Sequence, residues 1–302
     1  MPSTTLENHY AEHEGFVSDK WNIYLPEYER LFCPLKQANV ALLEIGVQNG
    51  GSLEIWEKYF PNASSILGCD INLGCENLAY TSDKIHLVIG DVNQPQTLGK
   101  LFSIAAEFDI VIDDGSHTSS DIIATFCHLF PRLKYGGLYI IEDLHCSYWE
   151  SYEGGLHHPR SSMAFLKALA DVLNFEHWGI EHSRTKWLQP FGIAPALGEA
   201  VLAEIHSVEF VNSMCVLTRR PAASNRLGKR QIVGKMEPVY PIKHVDGTEI
   251  DVPPQHGNRL AQDGPARDGS AVTASRLTAI TQQNPTWGER LKNHVCRLFG
   301  QS

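Results

Sequence analysis

The sequence predicts an α/β protein: a doubly wound, mostly parallel seven-stranded sheet closing in a C-terminal antiparallel hairpin, followed by a disordered tail. Three observations carry this. Short apolar runs ended by Gly or Asp alternate with amphipathic segments from Val40 to Ile141, the pattern of a parallel sheet covered on both faces. A glycine-rich turn containing Gly46, Gly50 and Gly51 joins the first such run to a helical segment. Two alternating runs meet at Asn212-Ser213, which reads as a tight hairpin turn.

Residues 1–38 read as a helical segment packed on the domain that follows. Ser18 or Asp19 is a candidate cap, and Trp21, Tyr24, Leu25, Tyr28, Leu31 and Phe32 recur at three- and four-residue spacing. Pro26 lies inside that stretch, which implies a kink or a late start. The main domain is expected over 39–221. Its parallel strands are expected at Val40–Ile45, Ser65–Asp70, Ile85–Gly90, Ile110–Asp113 and Leu138–Ile141. Between the last two, Ser120–Leu133 has a single apolar stripe and is expected to stop at Gly136-Gly137. Beyond the fifth strand, Met163–Leu173 reads as a helix, Glu176–Glu181 as a strand and Leu197–Ile205 as a short helix. His206–Phe210 and Met214–Thr218 form the hairpin, completing a Rossmann-like sheet. From 222 to 302 Pro, Gly, Gln, Ser and Thr dominate without a period, so a mostly disordered linker is expected, with one terminal helix at 286–299.

Composition narrows the function. The chain has 302 residues, 43% hydrophobic and 20% charged, which describes a globular protein with a sizeable core. Its net charge of −10 hides an asymmetry: 14 basic and 28 acidic residues precede Pro221, a net of −14. A body that acidic repels phosphate backbones, so nucleic acid is excluded as partner. No apolar run reaches the ~20 residues of a membrane span. The polar, acidic N-terminus is unlike a secretory signal, so a cytoplasmic location is expected. The seven cysteines show no CxxC spacing and read as reduced thiols.

The strand tips hold the polar residues. Glycine at the first turn lets the backbone approach a ligand closely, and the helix behind it attracts negative charge. A turn of this kind often only tightens packing, but Glu44, Asp70 and Asp91 stand on three neighbouring tips behind Gly46 and Gly50. An acid on the second tip commonly grips ribose hydroxyls. The set therefore reads as a nucleoside site, with Asp113 on its edge. The turn lacks the GxGxxG of dinucleotide enzymes and has no nearby positive charge for a pyrophosphate. A doubly wound sheet ending in a reversed strand resembles class I S-adenosylmethionine (SAM)-dependent methyltransferases more than dehydrogenases.

The fourth strand ends Asp113-Asp114-Gly115-Ser116-His117 and the fifth ends Glu142-Asp143. Acid pairs at strand ends are usually solvated, yet these two tips are neighbours in the expected sheet. Asp114, Glu142 and Asp143 brought together repel one another unless a cation intervenes. Oxygen ligands favour a hard divalent ion such as Mg²⁺. His117, three residues past Asp114, is placed to take a proton from a hydroxyl. His145, His157 and His158 are weaker candidates, and a single histidine beside the acids argues against an iron oxygenase face.

The segments EIGVQNGGSLEIW, IDDGSH and IIEDLHCSYW resemble the macrocin, mycinamicin and rhamnosyl O-methyltransferase family, itself similar to cephalosporin hydroxylase-like proteins. The resemblance covers roughly residues 15–220. It implies metal ligation by Asp114, Glu142 and Asp143, with His117 as general base. It also implies that Lys20 and Tyr24, in SDKW…Y, line the cofactor or acceptor pocket. The expected activity is SAM- and metal-dependent methylation of a hydroxyl on a small molecule or glycoside, with a sugar the first choice of acceptor. A phenolic acceptor, or a non-catalytic SAM-binding scaffold, are the alternatives, and a homo-oligomer is compatible with either.

Overall fold

The computed structural model describes residues 5–258 and Ala261. Two helices, α1 (Leu6–Ala11) and α2 (Tyr24–Phe32), precede the sheet. The late start implied by Pro26 is seen: the proline sits in the first turn of α2, where its missing N–H costs nothing. The chain then runs β1 (Ala41–Ile45), α3 (Gly51–Tyr59), β2 (Ser65–Asp70), β3 (Ile85–Ile89), α4 (Pro95–Ile104), β4 (Phe108–Asp113), α5 (Ser119–Leu129) and β5 (Leu133–Ile141). After α6 (Ser162–Leu173) and two short helices, α7 (Arg184–Leu188) and α8 (Glu199–Leu202), the hairpin β6 (Ile205–Val211) and β7 (Met214–Arg219) completes the sheet.

Strand order is β3-β2-β1-β4-β5-β7-β6. The first five strands pair in parallel, and β7 lies antiparallel to both β5 and β6. Strands β1 and β2 are buried at every position, which explains their unbroken apolar runs. One core cluster packs α5 and α6 against one face, around Phe126, Phe130, Phe165 and Tyr139. The other packs α1, α2 and α3 against the opposite face, around Tyr28, Phe32, Trp56 and Phe60. Among the described residues no helix is long and apolar enough to cross a membrane.

Three expectations change. The helix expected over Ser120–Leu133 stops at Leu129, because Pro131 lacks a donor and turns the chain through Phe130–Arg132. Strand β5 therefore begins at Leu133, and Gly136-Gly137, expected to end the helix, lies within the strand at a shift in its pairing with β4. Glu176–Glu181 is not a strand. Its first two residues belong to a turn at Phe175–His177 and it has no strand partner; Trp178 instead donates its indole N–H to the Asp171 carbonyl near the end of α6. The helix expected over Leu197–Ile205 shrinks to the four residues of α8.

After Pro221 the described chain has only two short turns, Ala222–Asn225 and Lys243–Val245. It is tied back where Leu227 N–H donates to Glu176 and Gln255 N–H to the Gly179 carbonyl. The terminal helix expected at 286–299 lies outside the described residues.

Candidate active site

The parallel strands deliver their C-terminal ends to one edge of the sheet, where ligands of open α/β sheets sit. The β1 and β4 tips touch there. Gly46 has φ +88°, and a Cβ on it would stand 2.0 Å from the Asp114 carbonyl oxygen. Asp114 N–H donates back to the Ile45 carbonyl at 2.9 Å. Glycine at 46 is thus what lets the β4 tip cross so near the glycine turn.

The structure brings Asp114, His117 and Asp143 together, with one ligand atom from each lying within 4.8 Å of the others. His117 Nε2 is 4.0 Å from Asp114 Oδ1 and 3.9 Å from Asp143 Oδ2. His117 (φ 57°) and Asp143 (φ 55°) both occupy the left-handed region. That conformation is uncommon for side-chain-bearing residues and persists only where surroundings enforce it. For Asp143 the enforcement is visible. Tyr24 Oη lies 2.9 Å from its Oδ1 and accepts its backbone N–H at 3.1 Å. Trp21 donates its indole N–H to the same carboxylate oxygen at 2.9 Å. The hairpin tip adds a brace, because Ser213 offers its carbonyl to Leu144 N–H and its hydroxyl to His145 Nδ1.

Glu142, the third acid expected in this cluster, is placed differently. Its carboxylate is buried and bound by Lys20 Nζ at 2.7 Å and by the Tyr28 hydroxyl. The same ammonium lies 2.5 Å from Asp114 Oδ2 and 3.3 Å from Glu44 Oε1, and the Lys20 side chain is only 2% exposed. Burial opposes its charge, but Asp114, Glu142 and Glu44 outweigh burial and hold the ammonium well above the usual lysine range. Burial, then Asp114, pushes the Glu142 carboxyl upward against the pull of Lys20. Burial also raises Glu44, whose other oxygen accepts from Ser52 and Trp56.

Of the residues expected at the cofactor, Lys20 and Glu44 therefore belong to this buried ion cluster, and Tyr24 positions Asp143. Asp70 shapes the glycine turn: its Oδ2 accepts the N–H groups of Val47 at 2.8 Å and Gln48 at 2.9 Å. Gly50 (φ +87°) starts α3, and Tyr80 donates to its carbonyl. Asp91, at the β3 tip, accepts Asn93 N–H and the Gln94 amide. Asp113 is fully buried, and burial pushes its carboxyl up to about 8. Tyr28 was legible only as an apolar core position. Its hydroxyl contact to Glu142 has no local sequence signal beyond its place in the helical stripe.

No family model matches the chain. Among curated proteins, the 8-demethyl-8-alpha-L-rhamnosyl tetracenomycin-C 2'-O-methyltransferase of Streptomyces olivaceus is 40% identical over 167 residues, covering 52% of this chain and 43% of that protein. Demethylmacrocin O-methyltransferase of Streptomyces fradiae is 35% identical over 175 residues, 53% of this chain and 43% of that one. The MycE methyltransferase of the mycinamycin pathway, solved with Mg, SAH and mycinamycin VI, aligns with a TM-score of 0.59 at 26% identity, over 73% of this chain and 55% of that one. The matched region is homologous to sugar O-methyltransferases. The resemblance to the macrocin, mycinamicin and rhamnosyl O-methyltransferases is thereby borne out, as is the Rossmann-like sheet. This chain matches less than half the length of the curated sugar O-methyltransferases above.

Proposed function

We propose that the chain is a SAM-dependent, divalent-metal-dependent O-methyltransferase acting on a sugar hydroxyl of a glycoside. The observation that supports it most directly is the Asp114–His117–Asp143 cluster standing beside the glycine turn, in a fold shared with a methyltransferase solved with Mg and SAH. The carboxylates of Asp114 and Asp143 fit a hard cation at one half-buried spot, with the His117 imidazole beside them as base. An acidic rim of Asp70, Asp91 and Asp114 also suits a positively charged sulfonium better than a pyrophosphate.

Asp114 and Asp143 would hold the metal, with Glu142 and Lys20 fixing Asp114 from behind. A divalent ion bound there lowers the pKa of a nearby hydroxyl, an effect that takes water from ~15.7 to ~7 in the best zinc case and less for Mg²⁺. The Gly46–Gly51 turn would hold SAM, which when bound would supply an electrophilic methyl on a good leaving group. His117 Nε2 faces both carboxylates and would take the proton of a sugar hydroxyl held there, as that oxygen bonds to the methyl carbon and the C–S electron pair leaves with sulfur.

The test is methyl transfer read by mass spectrometry, with glycoside and phenol panels, in Mg²⁺ and in excess EDTA. Transfer to glycosides that stops in EDTA is expected. Full activity in EDTA would remove the metal from the mechanism, and transfer to phenols alone would reassign the acceptor.

A further inference from the structure

One wall beside the cluster is lined by aromatic rings that the mechanism above does not use. Trp21 is 57% exposed and Trp149 47% exposed. Scattered exposed aromatics need no explanation. These are contiguous. The Trp21 ring meets His145 at 5.9 Å, His145 meets Trp149 at 5.0 Å, Trp149 meets Tyr152 at 6.0 Å, and Tyr152 meets His117 at 6.5 Å. The arc thus runs from a ring bonded to Asp143 round to the base itself.

We propose that Trp21, Trp149 and Tyr152 form the acceptor platform, packing against the apolar face of an uncharged glycoside whose hydroxyls turn toward Asp114, His117 and Asp143. The inference rests on the methyltransferase reading and adds the residues that would select the acceptor. Its shape supports a sugar. Successive rings are inclined at 86°, 68° and 55°, so no two in succession offer the parallel faces that would clamp a flat phenol. The C–H bonds of a sugar face carry slight positive charge and meet the negative faces of the rings. Charge supports an uncharged acceptor, because the exposed Glu150 and Glu153 directly follow Trp149 and Tyr152 in the chain and disfavour a diphosphate. The platform is also held in place. Gly154 N–H donates to the Trp149 carbonyl at 3.0 Å, and a Cβ at Gly154 would stand 2.2 Å from the Ser147 carbonyl.

The test uses the full chain with S-adenosylhomocysteine and Mg²⁺, titrated with methyl α-L-rhamnoside and followed by tryptophan fluorescence, alongside steady-state kinetics with SAM. Saturable quenching is expected from the wild type. Trp149→Ala should raise Kd and KM for the rhamnoside about tenfold, with kcat and SAM binding unchanged, and Trp149→Phe should recover most of the loss. No saturable quenching in the wild type, or a Trp149→Ala KM within about twofold of wild type, overturns the platform. A wild type that binds the rhamnoside through Trp149 yet methylates no glycoside leaves the platform standing and overturns the methyltransferase reading.

Discussion

Lys20 Nζ lies 2.5 Å from Asp114 Oδ2, joining the segment before α2 to the tip of β4 across 94 residues of sequence. The ammonium is shared with Glu142 and Glu44, so one buried cation holds three acids from three strands. Breaking a buried pair from one side leaves uncompensated charge. Lys20→Met should therefore lower stability by about 3–5 kcal/mol. Urea unfolding checks this, and a loss below about 1 kcal/mol would show the acids to be hydrated or protonated without the lysine.

Tyr24 acts on Asp143 alone among the cluster's ligands, through its hydroxyl. Tyr24→Phe keeps the buried ring and removes the hydroxyl's bonds to Asp143 and to the Ser213 carbonyl. Metal affinity should fall about 10–100-fold while the fold persists, as for other partners that orient ligands. Calorimetric titration with Mn²⁺ reads the affinity, and circular dichroism the fold. Unchanged affinity would mean that Trp21 and the backbone suffice to hold Asp143.

Gly46→Ala combines a left-handed backbone with a Cβ placed 2.0 Å from the Asp114 carbonyl. The conformation alone costs about 1–2 kcal/mol, and the clash must displace the β4 tip. A loss of at least about 2 kcal/mol is expected, together with loss of metal binding. The control is Gly99→Ala, where a Cβ meets nothing within 4 Å and a helical alanine should stabilise slightly.

Thiol reactivity should follow burial. Cys33 is exposed, whereas Cys69, Cys127 and Cys215 are buried. Burial disfavours the thiolate and pushes Cys127 up to about 11 and Cys69 up to about 12. The thiolate is the attacking form, so at pH 8 both stay almost wholly protonated and react slowly even where reagent reaches them. Iodoacetamide followed by peptide mapping should label Cys33 in the native protein and Cys69, Cys127 and Cys215 only in denaturant. Native labelling of Cys127 would show that α5 opens readily.

Much of this was legible before the fold was known. Apolar runs ended by Gly or Asp located the five parallel strands, because burial on both faces demands them. Asp114, His117 and Asp143 were legible as chemistry, because strand tips are where an α/β sheet presents polar groups. The burial of Glu142 against Lys20 and Tyr28 was not legible, because both partners come from the segment before β1. Pro131 likewise outweighed the stripe that seemed to carry α5 to Leu133, since periodicity registers a face but not a missing donor.

By itself the order of residues determined which groups stand at the sheet edge, for periodicity and turn chemistry are local properties of the chain. The family resemblance in IDDGSH and IIEDLHCSYW was equally open to reading. Only the folded molecule decided which acid faces the cleft and which is neutralised inside, since Lys20, Tyr24, Tyr28 and Ser213 reach those acids from distant segments. Long-range packing sets the burial, and burial decides where a charge can remain.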